Sequence, residues 1–396
     1  MHKLLVVRLN AKGGVFLFGR FFRLFSLITA CVFVSFSVIS ANAAEEPLQN
    51  AQTAVVLASG ADSSILSSSN GDTRCNVGTL AKIMTALITA ESVERGKLTL
   101  DTLITASANA QSAKGAVIWL KAGEKMSAGD LLLSMMTGNA NDAAIALAEY
   151  IAQTEEGFVD IMNEKAKSFG MHDTLYTDCT GLDAAAYSTA NDTAILCCEL
   201  VKHKFLYDCM TPWLTYVRNG ETELVNSNEL VKNYAGIIGI KGSKTENSLY
   251  CLAAAAERNG ECYVSVCLNF ADKDECRQSA KSMLNSGFSG YATIYPLIDA
   301  TQLKSVGVKG GVEKQVDIDV EILPVCIPEC DGENISGVTF LPKFVSAPVK
   351  KGQKLGTLMI YADDVLLSQA DICAQNDVKR ENIGTAFLSL LETLLN

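Results

Sequence analysis

Histidine is nearly missing from this chain of 396 residues: only His2, His172 and His203 occur. A histidine-rich metal centre is therefore excluded, and a Ser-His-Asp triad has only His172 or His203 to draw on. Both read as surface or packing residues. Positive charge is also short, with 33 basic residues against 44 carboxylates and a net charge of −11. Five of those bases (Lys3, Arg8, Lys12, Arg20, Arg23) lie in residues 1–43, which hold no acid, so the remainder carries 28 against 44, or −16. Such a surface repels phosphate backbones, and nucleic acid is not an expected partner. Charged residues amount to 19% and apolar ones to 48%. That excludes wholesale disorder and leaves enough apolar material for a sizeable core, which at this length spreads over about two to three domains.

The apolar run Leu24 to Ile39, 16 residues long, follows Arg20 and Arg23 and precedes Ser40-Ala41-Asn42-Ala43. It is short for a membrane span and right for a signal-peptide core, with small residues placed for a cut after Ala43. The expectation is a signal peptide over 1–43 and an exported, extracytoplasmic protein of the cell envelope. An uncleaved anchor, or lipidation at Cys31, are the alternatives. Of thirteen cysteines, twelve remain after such a cut. Export permits disulfides, but Cys197-Cys198 sit side by side in a helical pattern, and Cys251, Cys262 and Cys267 lie in strand-like apolar runs. These read as small buried hydrophobes. Cys326 and Cys330, in a loop-like stretch, are the best disulfide candidates. No set of four well-spaced ligands exists, so neither a metal nor any other cofactor is expected.

Along the mature chain, Thr53 to Ala58 and Ser64 to Leu66 read as a hairpin. Leu80, Ile83, Met84, Leu87 and Ile88 recur at helical spacing within Thr79 to Glu91. Further helices are expected over Leu131 to Met136, Asp142 to Ala152, Phe158 to Ser168 and Thr189 to Lys204. Tyr250 to Ala256 and Cys262 to Asn269 read as strands joined by the turn Arg258-Asn259-Gly260, with a helix at Gln278 to Leu284 to cover them. From 292 to 376 short strand runs are punctuated by Gly and Pro, as in a small all-β domain. The tail from Ile383 to Leu395 has an apolar stripe at helical spacing.

Chemistry is suggested where Thr79 and Lys82 open the first helix, because a spacing of three puts hydroxyl and amine one turn apart on one face. A hydroxyl needs a nearby base, and a lysine serves if burial and a helix N-terminus lower its pKa. The pair is weak evidence alone, since Thr301 and Lys304 share the spacing, and no serine has a lysine three residues on. Its neighbourhood is more specific. Thr79-Leu80-Ala81-Lys82-Ile83-Met84-Thr85-Ala86-Leu87 resembles the first motif of the penicillin-recognising D-alanyl-D-alanine carboxypeptidases, the low-molecular-mass penicillin-binding proteins. Leu120-Lys121-Ala122-Gly123-Glu124-Lys125, Asn139-Ala140-Asn141-Asp142-Ala143-Ala144, Phe169-Gly170-Met171, Thr180-Gly181-Leu182-Asp183 and Gly239-Ile240-Lys241 follow in the family's order. Ala347-Pro348-Val349-Lys350-Lys351-Gly352-Gln353 resembles its β-domain.

The resemblance implies a mixed α/β penicillin-binding/serine β-lactamase-like domain over 45–290, with an antiparallel sheet flanked by helices. A C-terminal β-sandwich domain over 293–376 and an amphipathic helix over 381–396 would follow. It also implies a serine-type carboxypeptidase that removes the terminal D-alanine of peptidoglycan stem peptides through an acyl-enzyme and accepts β-lactams. In that scheme Thr79 is the nucleophile, Lys82 its base, and Asn139 and Asn141 the second motif. Lys241, Gly242, Ser243 and Lys244 line the substrate, Lys241 draws its carboxylate, and the N–H groups of Thr79 and Lys244 hold the oxyanion.

All three motifs depart from the family pattern: Thr79 replaces serine, Asn139 replaces the serine of S-x-N, and Lys-Gly-Ser replaces Lys-Thr-Gly. Threonine is stiffer at χ1, an amide cannot shuttle a proton as a hydroxyl does, and Ser243 puts a side chain where the family has none. The alternative function is a catalytically inactive relative that binds peptidoglycan or a protein partner. Trp119 reads as core or cleft wall, with a stacking platform as the alternative. The tail's charges nearly balance, so only weak membrane association through 383–396 is expected, against self-docking of the helix.

Overall fold

The computed structural model describes residues 52–294, 296, 305–322, 324–328, 335–362, 365–382 and 384. The signal peptide expected over 1–43, Cys330 and nearly all of the expected tail helix lie outside these residues. Strands β1 (Ala54–Ser59) and β2 (Ile65–Ser69) pair as the expected hairpin. A 3-10 turn, Gly78–Ala81, then leads into α1 (Lys82–Glu94), so Thr79 lies in a tighter turn than the expected helix. The sequence pattern also suggested that α1 buries one face. Instead every residue from Lys82 to Ala90 is buried, because later helices surround it.

Those elements are β3 (Leu103–Thr105), α2 (Ala108–Gln111), β4 (Lys125–Ser127), α3 (Ala128–Met136), α4 (Asn141–Ala152), α5 (Glu155–Ser168), α6 (Ala190–Leu200) and α7 (Tyr207–Met210). Helices α3, α4, α5 and α6 all pack on α1. Side chains stop the fraying of several starts: Ser127, Thr154 and Thr189 accept the N–H three residues on at α3, α5 and α6.

After the ribbon β5 (Leu214–Val217) and β6 (Thr222–Val225) come β7 (Ile237–Ser243), β8 (Tyr250–Arg258), β9 (Glu261–Phe270) and α8 (Lys273–Gly290). The main sheet is antiparallel with strand order β2-β1-β9-β8-β7, which leaves β7 at an edge. Alternation along β8 sends Ala253 and Ala255 to the core shared with α1, and Leu252, Ala254 and Ala256 to the core under α8. Both faces of the sheet are thus covered, and the site lies at the β7 edge.

The remainder is all-β: β10 (Tyr291–Ile294), β11 (Val306–Lys309), β12 (Gln315–Val316), β13 (Ile318–Val320), β14 (Val325–Pro328), β15 (Ile335–Phe340), β16 (Phe344–Ser346), β17 (Lys354–Ala362) and β18 (Val365–Ala374). The expected single run Gln315 to Leu323 divides because β12 joins the sheet β12-β11-β16 and β13 the sheet β13-β18-β17-β15. Asp62, beyond β1, accepts the Cys326 N–H at 3.0 Å, and the Tyr291 hydroxyl donates to the Leu66 carbonyl at 3.0 Å, so specific polar contacts tie this region to the main sheet. The Cys326 thiol is buried against the Tyr263 hydroxyl at 4.0 Å. No helix among the described residues is long and apolar enough to cross a membrane.

Candidate active site

Three stretches meet at the β7 edge: the turn from Gly78 to Lys82, the Asn139–Asn141 entry to α4, and Lys241 to Lys244. The turn is fixed by Asn76. Its Nδ2 donates to the carbonyls of Asp183 and Ala186, both at 2.9 Å, and its Oδ1 accepts the Gly78 N–H at 2.9 Å. Thr79 follows with its side chain buried, and its Oγ1 finds no hydrogen-bond partner among the described residues. The expected proton path from Thr79 to Lys82 is therefore not preformed. Lys82 Nζ donates instead to the Thr180 carbonyl at 2.7 Å. That carbonyl is held in place because the Asp178 carboxylate accepts the N–H groups of Thr180, Gly181, Leu182 and Asp183. The stretch Thr180 to Asp183 was visible as a family-like segment, yet nothing in it marked a carbonyl as the partner of Lys82.

Lys82 is fully buried. Burial pushes its pKa down to about 7, although Cys179, Asp178 and Asp142 pull it the other way. An amine that is half deprotonated near neutral pH is a usable base. Lys241 is equally buried and its pKa lies well below the ordinary lysine value, first through burial and then through the nearby Lys82 charge. The two lysines thus lie within each other's field. The resemblance gave Lys241 the task of drawing in a carboxylate, but its Nζ is spent on the carbonyls of Met135 at 2.7 Å and Met136 at 2.9 Å. These are end-of-helix acceptors of α3 that lack intrahelical donors. Lys241 ties β7 to that helix end and does not face open space.

Asn139 has a left-handed backbone, φ +62°, and Asn141 starts α4 with its Nδ2 donating to the Lys114 carbonyl at 2.5 Å. The amide oxygens of both are buried without a partner among the described residues. With Thr79 Oγ1, that makes three of the nine such atoms among the described residues. A buried polar atom left unpaired costs roughly 1–3 kcal/mol.

The third motif is where the structure adds most. Ser243 Oγ accepts the Thr79 N–H at 2.8 Å. The sequence suggested only that a side chain here would crowd the cleft; the hydroxyl in fact takes the N–H that the resemblance assigned to an oxyanion. Gly78 makes room for it: φ is +55°, and a Cβ there would lie 2.5 Å from Ser243 Oγ. Gly242 has its own reason, since a Cβ would meet the Ser227 carbonyl oxygen at 2.6 Å. Beyond Ser243 a cavity of about 280 Å³ opens, lined by Asn139, Ser227, Ser243, Lys244 and Tyr250 among others. The Lys244 ammonium sits 4.3 Å above the Tyr250 ring.

Comparison with known proteins gives the family and the fold. A family model described as D-alanyl-D-alanine carboxypeptidase matches residues 40–272. The chain belongs to that family. The C-terminal domain of penicillin-binding protein 5 matches residues 291–380, in agreement with the all-β region. The D-alanyl-D-alanine carboxypeptidase DacF of Bacillus subtilis is 32% identical over 81% of this chain and 84% of its own length. The DacC carboxypeptidase of Escherichia coli is 27% identical over 81% and 82%. Among solved structures, penicillin binding protein 5 from Haemophilus influenzae superposes with a TM-score of 0.70 at 25% identity, covering 83% of this chain and 98% of that one. The fold is the family's penicillin-binding fold.

One sequence expectation needs revision around the site. Trp119 is not core: it is 76% exposed and borders an open groove. His203 Nδ1 lies 2.7 Å from a Glu94 carboxylate oxygen, at the end of α1. Among the described residues, no group of three His, Cys, Asp or Glu side chains is placed to hold a metal ion.

Proposed function

We propose that this chain is an exported D-alanyl-D-alanine carboxypeptidase-like protein that holds the D-alanyl-D-alanine end of a peptidoglycan stem peptide far better than it cleaves it. The observation that carries this reading is the Ser243 hydroxyl seated on the Thr79 N–H. Cleavage would require Thr79 Oγ1 to bond to the scissile carbonyl carbon and pass its proton to Lys82. The resulting oxyanion would need the Thr79 and Lys244 N–H groups, and the departing D-alanine amine would take up the proton. With one donor already satisfied by Ser243, the rate falls by about 10²–10³. The unpartnered Thr79 Oγ1 adds a loss of alignment. Binding needs neither step, and the cavity beyond Ser243, lined by Asn139 and Lys244, has room for a peptide end.

A second reading, a working carboxypeptidase with a threonine nucleophile, draws on Lys82, whose pKa of about 7 suits a base. One experiment separates them. Wild type, Ser243→Gly and Thr79→Ala are incubated with a fluorescent penicillin and with a diacetyl-lysyl-D-alanyl-D-alanine peptide, and acylation, D-alanine release and calorimetric binding are read. The binder reading expects peptide binding by wild type with scarcely any label. It also expects faster labelling of Ser243→Gly, which Thr79→Ala added to it removes. Rapid labelling and D-alanine release by wild type would overturn it in favour of the enzyme, and failure to bind the peptide would overturn both.

A further inference from the structure

The least buried large apolar side chain among the described residues is Trp119, at 76% exposure, and the backbone is built to hold it out. Its φ is +55°, a left-handed conformation that a bulky residue avoids and that costs of order 1–3 kcal/mol. The residues on either side are clamped. The buried Asp142 carboxylate accepts the N–H of Ile118 at 3.1 Å and of Leu120 at 2.9 Å, and both side chains are buried in the core. From the other side, Arg218 Nη1 donates to the Ile118 carbonyl at 2.6 Å while its Nε bonds to Glu124 at 2.8 Å. Arg218 is itself left-handed, with φ +53°. Two strained residues and a buried carboxylate thus converge on one outward indole. Nothing in the folding of the chain requires this, since burying the same ring would add apolar stabilisation.

The indole lies in an open groove with Lys121, Glu124, Arg218, Glu221 and Glu223. Two positive and three negative groups leave no field for an anion, and the polar rim does not suit an apolar helix. A flat aromatic face ringed by carboxylates, an ammonium and a guanidinium matches a neutral ring with an apolar face and equatorial hydroxyl or amide groups. The loop that carries Trp119 also touches the candidate site: Asn141 N–H donates to the Ala116 carbonyl at 2.7 Å and its Nδ2 to the Lys114 carbonyl.

We propose that Trp119 is a stacking platform for an N-acetylated hexosamine ring of the glycan strand that carries the stem peptide. The choice of sugar rests on the peptidoglycan reading above; the platform rests on its own residues. Only two tryptophans occur, Trp119 and Trp213, so Trp213→Phe leaves Trp119 as the single indole reporter. Titration of this variant with N-acetylglucosamine tetramer is expected to shift Trp119 fluorescence along a saturable, millimolar curve. Calorimetry on Trp119→Ala is expected to show sugar affinity lowered roughly tenfold or more, with Trp119→Phe in between. Both variants are expected to bind the diacetyl-lysyl-D-alanyl-D-alanine peptide as wild type does. Absence of any sugar-dependent change, with peptide binding intact, overturns the platform and leaves the peptide reading standing. Loss of peptide binding in wild type with the sugar curve preserved does the reverse. A fluorescence response to choline and none to the sugar overturns the proposal in favour of a cation site.

Discussion

Replacing Lys82 by methionine should make the protein more stable near neutral pH, and the gain should shrink as pH rises. Burial lowers this amine from an ordinary value of 10.5 to about 7, which corresponds to about 5 kcal/mol between its two protonation states. The sign follows from proton binding. Between pH 7 and 10.5 the unfolded chain holds a proton that the folded chain refuses, so the wild-type contribution to stability rises with pH across that window; at and below pH 7 the full penalty is present. From pH 7 to pH 9 the change amounts to about 2 kcal/mol. Methionine has no such term. It leaves the Thr180 carbonyl without its donor, a loss of roughly 1–3 kcal/mol that does not vary with pH.

The measurement is urea unfolding of wild type and Lys82→Met at pH 7, 8 and 9 under reducing conditions. The difference between the two proteins is the quantity to follow, because buried thiols such as Cys75 and Cys262, each pushed up to about 12 by burial, contribute an opposite slope to both proteins. Lys241 reinforces the effect, since removing the Lys82 charge relaxes its own depression. A difference flat with pH would refute the claim that the folded protein holds Lys82 as a neutral amine.

Two further substitutions probe the frame around the cleft. Gly242→Thr restores the residue type the family carries but drives a side chain into the Ser227 carbonyl. It should lower stability by about 1–3 kcal/mol, and an unchanged melting temperature would mean that the 226–228 segment yields freely. Asp142→Asn leaves one acceptor oxygen where two now serve the N–H groups of Ile118, Leu120 and Ala143. It should cost about 1–3 kcal/mol and speed hydrogen exchange at Ile118 and Leu120; unaltered protection there would show that the clamp on the Trp119 loop does not depend on this carboxylate.

Two of the motif departures, Thr79 and Ser243, are in direct contact. Ser243 reaches the Thr79 N–H because Gly78, with no Cβ, stands between them. Gly242 is small because Ser227 approaches it. Gly78 and Ser243 thus accommodate one another, while Gly242 answers to a separate neighbour. The lysines, by contrast, keep their burial and their lowered proton affinity.

Much of the fold could be read along the chain because it rests on local or near-local terms. The apolar runs that form β8 and β9 and the turn at Arg258-Asn259-Gly260 are decided by neighbours a few residues away. The family motifs carried the location of the site, since Thr79, Lys82, Asn141 and Lys241 are recognised by order and spacing. Orientation was another matter. That Lys241 turns to the end of α3, that Lys82 answers to the Thr180 carbonyl, and that Ser243 sits on the Thr79 N–H all depend on groups dozens to more than a hundred residues distant. Spacing along a chain has no term for these contacts. The same holds for Trp119, whose apolar character argued for burial until Asp142 and Arg218, from two remote segments, were seen to hold it outward. Composition and pattern select which elements form and in what order; which way a buried amine or an indole points is decided only when those elements close on one another, because unpaired carbonyls and carboxylates then compete for every donor within reach.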